Sequence, residues 1–190
     1  MRLSVFAVPV LIAVTASAQE AALPVPQYDE VFYRYDRATG KLLELERQVA
    51  AVESKPKALG FAGYKASFYL RGAHSPVRFR EGDQLEFVFS LPQRADPRTV
   101  QFIALNKSGN RREFIQLQSN RPSPLGVGTA KDVTERSAVP YDIEKYGESA
   151  YRLTPSKPLF PGEYTLSLPT NNVAYSFGID GAANPGKQGK

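Results

Sequence analysis

The chain has 190 residues, 24 basic and 19 acidic, for a formal net charge of +5. Its 42% hydrophobic and 23% charged content is that of a globular chain rather than a disordered one. With no cysteine, one histidine and one methionine, thiol nucleophiles, thiolate or histidine-rich metal sites and redox switching are excluded. The mild, dispersed positive charge is no nucleic-acid footprint.

Arg2, an apolar run from Leu3 to Val14 and the small exit Ala16-Ser17-Ala18 predict a secretory signal peptide over residues 1–18. The apolar run is too short for a permanent bilayer span and Pro9 interrupts it, so no transmembrane segment is expected once the leader is removed. The expectation is export to the periplasm or beyond. Residues 19–30, with Pro24 and Pro26, read as an extended leader to a domain over 31–180.

Residues 31–36 (VFYRYD) and 41–47 (KLLELER) flank a turn at Gly40, which predicts an N-terminal hairpin over 31–47. Leu42, Leu45, Val49 and Val52 also fall at i, i+3, i+7 and i+10, so an amphipathic helix over 43–53 competes with the second arm. Alternating segments then recur at 64–70, 77–79, 84–91, 99–106 and 111–118, the last two joined by Lys107-Ser108-Gly109-Asn110. Residues 119–137 are the longest expected loop. Strands resume at 139–146, where Pro140 argues for an edge or a strand start, then at 149–154, 164–168 and 173–180. Pro161-Gly162 has the signature of a type II turn, and residues 181–190 are expected to be a disordered tail. About nine short strands with regular turn signals predict an all-β, antiparallel, immunoglobulin-like β-sandwich.

The chemistry-bearing residues are few. There is no G-x-S-x-G, H-E-x-x-H or P-loop pattern. Close carboxylates occur at Glu44/Glu46, Asp132/Glu135 and Asp142/Glu144. A hydrolase needs two facing carboxyls, one with a raised pKa; on strands these pairs instead read as solvated faces, with Glu44 and Glu46 together. His74 reads as a turn histidine bonded to backbone. Lys107, Arg111 and Arg112 at one hairpin tip, with Arg121 beyond it, are a candidate anion site for phosphate, sulfate or carboxylate groups, including lipopolysaccharide head groups. Arg71, Arg78 and Arg80 form a second basic group. Most of the 21 Tyr and Phe residues fall on apolar strand parities as core, and some could supply a sugar-stacking platform. Tyr33, Tyr35, Tyr69 and Tyr141 have no exposure legible from the pattern.

The segments FYRYDRATGKLLELERQ, YKASFYLRGAHSPVRFREGDQLEFVF and YRLTPSKPLFPGEYTLSL resemble a diffuse group of uncharacterised exported bacterial β-sandwich proteins. The resemblance implies fold and compartment and carries no activity. The C-terminal part also looks a little like the periplasmic copper-carrier sandwiches, whose histidine and methionine ligands this chain lacks. The expectation is a non-catalytic module without cofactor that binds an envelope or secreted protein across a sheet edge or the 119–137 loop. An anionic glycan or lipopolysaccharide is the alternative ligand, and a carboxylate hydrolase the third reading.

Overall fold

The structure, a computed structural model, describes residues 23–56, 64–118, 131–132 and 137–181. The expected signal segment over 1–18, Arg121, Glu135, the expected tail beyond Gly181 and most of the expected 119–137 loop lie outside the described residues. Within them the chain is all-β, with a single 3₁₀ turn at Pro97–Thr99. The strands are β1 (Tyr33–Asp36), β2 (Lys41–Glu44), β3 (Glu46–Val49), β4 (Ala51–Pro56), β5 (Tyr64–Arg71), β6 (Arg78–Arg80) and β7 (Phe87–Ser90). They continue with β8 (Gln101–Ser108), β9 (Arg111–Gln118), β10 (Lys131–Asp132), β11 (Tyr141–Lys145), β12 (Ala150–Pro155), β13 (Gly162–Ser167) and β14 (Val173–Asp180). Among the described residues no helix is long and apolar enough to cross a membrane.

Two sheets form. The first has the order β11-β12-β7-β1-β2; the second runs β3-β14-β13-β8-β9-β5-β4, with β10 beside β9 and β6 beside β14. Named strand pairs are antiparallel except β6 with β14. The sheets pack through Phe32, Phe87, Phe89 and Leu153 from one side and Phe102, Leu166, Tyr175 and Phe177 from the other. Phe177 is central, with its ring centroid 5.0 to 6.1 Å from those of Phe79, Phe87, Phe102 and Tyr164. Several such buried rings, each worth about 1.5–3 kcal/mol on full burial, account for a stable core without disulfides.

The second sheet is curled. Its terminal strands β3 and β4 are consecutive along the chain, joined at Ala50, whose N–H donates to Asn172 O at 2.7 Å. The path therefore turns back on itself as a half-barrel and encloses a second core of Ala50, Leu70, Ile103, Leu105, Phe114 and Ala174. Period-two alternation explains how one strand serves both cores. On β8, Phe102 faces the sandwich, and Ile103 and Leu105 face the inside of the curl.

Several sequence expectations are corrected here. Residues 43–53, open between strand and helix in the sequence, belong to β2, β3 and β4, with Leu45 buried at the crossover where the chain leaves the first sheet after β2 and enters the second as β3. Packing against both sheets overrides the helical spacing, because it demands extended backbone on either side of Leu45. The hairpin thus ends at Glu44 and not near Arg47. β7 is shorter than the 84–91 run. Gly162 is the first residue of β13 and has no positive φ, so the type II turn is absent. The 107–110 turn does form, as a two-residue loop between Ser108 and Arg111 with Gly109 at φ 60°, a backbone that favours glycine. β11 is an edge strand, as Pro140 argues.

Candidate functional site

Alternation also decides the fate of the basic hairpin tip. Lys107 and Arg112 are cross-strand partners, as are Ser108 and Arg111, so Arg111 and Arg112 leave the ribbon on opposite faces. Arg111 lies outside, ion-paired with Glu53 at 2.9 Å and Glu113 at 3.3 Å and stacked 4.9 Å over Tyr69. Arg112 points into the curl and is fully buried. Lys107 reaches the rim, and Arg121 is outside the described residues. Lys107, Arg111 and Arg112 are thus not gathered into one exposed cluster.

Arg112 is instead the centre of an internal network. Its Nη1 donates to Glu46 Oε2 at 2.9 Å and Ser176 Oγ at 3.1 Å. Nη2 donates to Glu46 Oε1 at 3.3 Å and Arg71 O at 2.9 Å, and Nε to Gly72 O at 3.0 Å. That uses all the donors of a guanidinium. Ser176 Oγ in turn donates to Glu46 Oε2 at 2.8 Å. Gln48 closes the gap between β3 and the end of β5, accepting from Arg71 N at 3.0 Å and donating to Arg71 O at 3.2 Å. Burial works against the Glu46 carboxylate, but bonds from Arg112, Ser176, Ser75 and Gln48 outweigh it and hold its pKa below the ordinary 4.5.

Glu163, on β13 and buried, continues the network toward the rim. Its Oε2 lies 3.6 Å from Arg112 Nη1 and accepts from Ser75 N at 2.9 Å. Its Oε1 takes Arg78, which also pairs with Asp180, and lies 3.1 Å from His74 Nδ1. Hydrogen bonding from Arg78 is the main cause holding the Asp180 carboxyl below its ordinary value. Arg78 reaches Glu163 across Gly178, where a Cβ would stand 1.7 Å from Nη1. His74 is bonded to side chains and not to backbone, since its Nε2 lies 2.9 Å from Lys107 Nζ. Glu163, His74 and Lys107 are in the order of a carboxylate-oriented general base. Here, however, an ammonium already donates to the basic nitrogen.

The Glu44/Glu46 pair separates in the same way, whereas Asp142/Glu144 stays together on one exposed face. Glu44 is exposed on β2 and Glu46 lies inside the curl, because the crossover at Leu45 sends them to different sheets. Asp142 and Glu144 are exposed on β11, taking Ser156 and Arg152. Among the described residues no group of three or more His, Asp or Glu could hold a metal ion.

A cleft of about 390 Å³ opens beside that crossover. One wall is the cross-strand pair Tyr33 and Glu44, from β1 and β2; another is Tyr175 and Arg47, from β14 and β3. The leader supplies Tyr28, Asp29, Glu30 and Val31, and the β13–β14 turn supplies Asn171 and Val173. Glu30 has φ 61°, a conformation costing about 1–2 kcal/mol for a non-glycine residue. Two bonds offset that cost: its N–H donates to Ser90 O at 2.7 Å, and Oε2 accepts from Asn171 Nδ2 at 3.2 Å. The leader is pinned further back, where Tyr146 donates to Pro24 O at 2.8 Å and burial pushes the phenol up to about 12. Burial, then Glu44, Tyr175 and Tyr28, raise the Tyr33 phenol above its ordinary 10.0. Asp29, Glu44 and Arg47 form no side-chain hydrogen bond or ion pair among the described residues.

A second cleft, about 420 Å³, lies between Gly82–Glu86 and Thr154–Leu159; its buried Glu86 is ion-paired with Arg37. The sequence marked Tyr33 and Glu44 but missed Tyr28, Asp29, Glu30, Arg47 and Asn171. A tyrosine beside two carboxylates, in a segment otherwise assigned as a plain leader, was the available signal. Comparisons with family models, curated proteins and solved structures find no match for the chain.

Two outcomes test the network. A carboxylate with a depressed folded pKa adds stability above its unfolded pKa and loses it as pH falls through the folded one. Urea midpoints of the wild type should therefore fall steeply below about pH 4.5, and Glu46→Gln should flatten that acid limb. Gly178→Ala should cost about 1–3 kcal/mol by displacing Arg78. In an Arg78→Ala background most of that cost should vanish; an unchanged cost would mean that Arg78 is not what needs the glycine.

Proposed function

We propose that the protein is an exported, non-catalytic, envelope-associated binding module and that the cleft beside Leu45 is its binding site. The observation that carries this reading is the division of charge. The ions inside the curled sheet are bonded to one another, whereas Asp29, Glu44 and Arg47 stand unpaired beside three tyrosines. Preplaced polar groups next to aromatic rings are what recognition of a ligand requires. Rings with a polar tip bury area and keep a bonding group at the same place.

Export rests on the signal pattern over residues 1–18. An immunoglobulin-like assignment belongs to the same reading, supported by antiparallel sheets packed face to face over an aromatic core. Catalysis is the weaker reading, because the histidine's basic nitrogen already faces an ammonium. An anion site on the hairpin tip is also weaker, because Arg111 and Arg112 are committed to carboxylates.

The test is crosslinked capture from the native envelope and medium, comparing the mature wild type with a Tyr28→Ala/Tyr33→Ala variant of matched stability. A defined species held by the wild type and lost by the variant is expected. The same species recovered equally by both would put the binding surface elsewhere.

A further inference from the structure

We infer that the cleft takes a sugar ring bearing a protonated amine, as in an oligosaccharide with free amino groups; this rests on the cleft being the binding site. Three features of the cleft converge on that chemistry. First, Asp29, Glu30 and Glu44 line the cleft together with one guanidinium, Arg47, so the local charge is negative although the whole chain carries +5. A sugar acid, sulfate or phosphate would meet repulsion there, and an ammonium would meet attraction. Second, Tyr28 is 59% exposed and Tyr33 half-buried at the mouth. Phenol rings offer flat apolar faces to the C–H face of a pyranose and a negative quadrupole to a cation. Third, the remaining groups suit hydroxyls. Arg47 donates, Asn171 keeps one amide N–H beyond the one it gives Glu30 while its Oδ1 is held by Val173 N–H, and the carboxylates accept from vicinal O–H groups.

The placement follows from the fold rather than from loop accident. Tyr33 with Glu44, and Tyr175 with Arg47, are cross-strand partners on two different sheets. A ligand seated between them touches both sheets at the point where the chain crosses from one to the other. Glu44 and Asp29 form no ion pair with Arg47 or with another cation among the described residues, which separates them from Glu46, bonded to buried Arg112.

The experiment is titration calorimetry of the mature chain against a glucosamine tetramer, its N-acetylated counterpart, a uronic-acid tetramer and tetralysine, at a pH where the amines are charged. The glucosamine tetramer should bind at least about tenfold more tightly than the N-acetylated form, with no measurable binding of the uronate. Glu44→Gln should remove most of that preference, and Tyr28→Ala should weaken both sugars. If the N-acetylated sugar binds equally well and Tyr28→Ala abolishes both, the cleft stands as the site and the ammonium requirement falls. Tetralysine binding as tightly as the sugar would overturn the sugar assignment. Preference for the uronate, or no binding of any sugar, would overturn the inference outright, leaving the cleft itself to be judged by the capture comparison.

Discussion

A fully buried arginine constrains everything around it. Arg112 has no access to water, so each of its N–H groups must find an acceptor within the protein or impose a large desolvation cost. The acceptors come from Glu46 on β3, Ser176 on β14, and the backbone of Arg71 and Gly72 at the end of β5. Those positions meet only if the second sheet curls until its two ends are neighbours. Replacing such an ion pair by apolar groups of the same shape can be neutral. The network's contribution is therefore as much a requirement for one register as a source of stability.

The crossover at Leu45 links that interior to the surface. Because Leu45 is buried between the sheets, the residue before it stays with the first sheet and the residue after it enters the second. Glu44 is left facing solvent beside Tyr33, while Glu46 is committed to Arg112. One short stretch thus ends in two carboxylates of opposite circumstance, one satisfied by the fold and the other free. Rigid strands on both sides hold the free one in place.

The legible part of this fold was what alternation and turn chemistry encode. The Gly109 hairpin, the β9 span and the edge position of β11 follow from local pattern. So does the core parity of Phe87 and Phe89, since each needs only its own neighbours. What was not legible depends on residues distant in sequence. The curl joins Glu46 to Arg112 and Ser176, more than sixty positions away in each case, and no local period reports that. The hairpin tip looked cationic because the sequence counts charges and not faces; Arg111 and Arg112 differ by one residue and therefore by the whole thickness of the sheet. The cleft escaped for a similar reason, since its walls come from three stretches far apart in sequence.

The charges divide into those bonded within the fold and those unpaired in the cleft, and thermal unfolding tests that division directly. Arg112→Met strands a buried carboxylate, a change costing about 3–5 kcal/mol, and should lower Tm by roughly 10 °C. Glu44→Gln and Arg47→Gln, both in the cleft, should unfold within about 2 °C of the wild type, since surface substitutions lie near ±0.5 kcal/mol. Cleft variants that unfold as early as Arg112→Met would contradict the account, because their charges would then be structural as well.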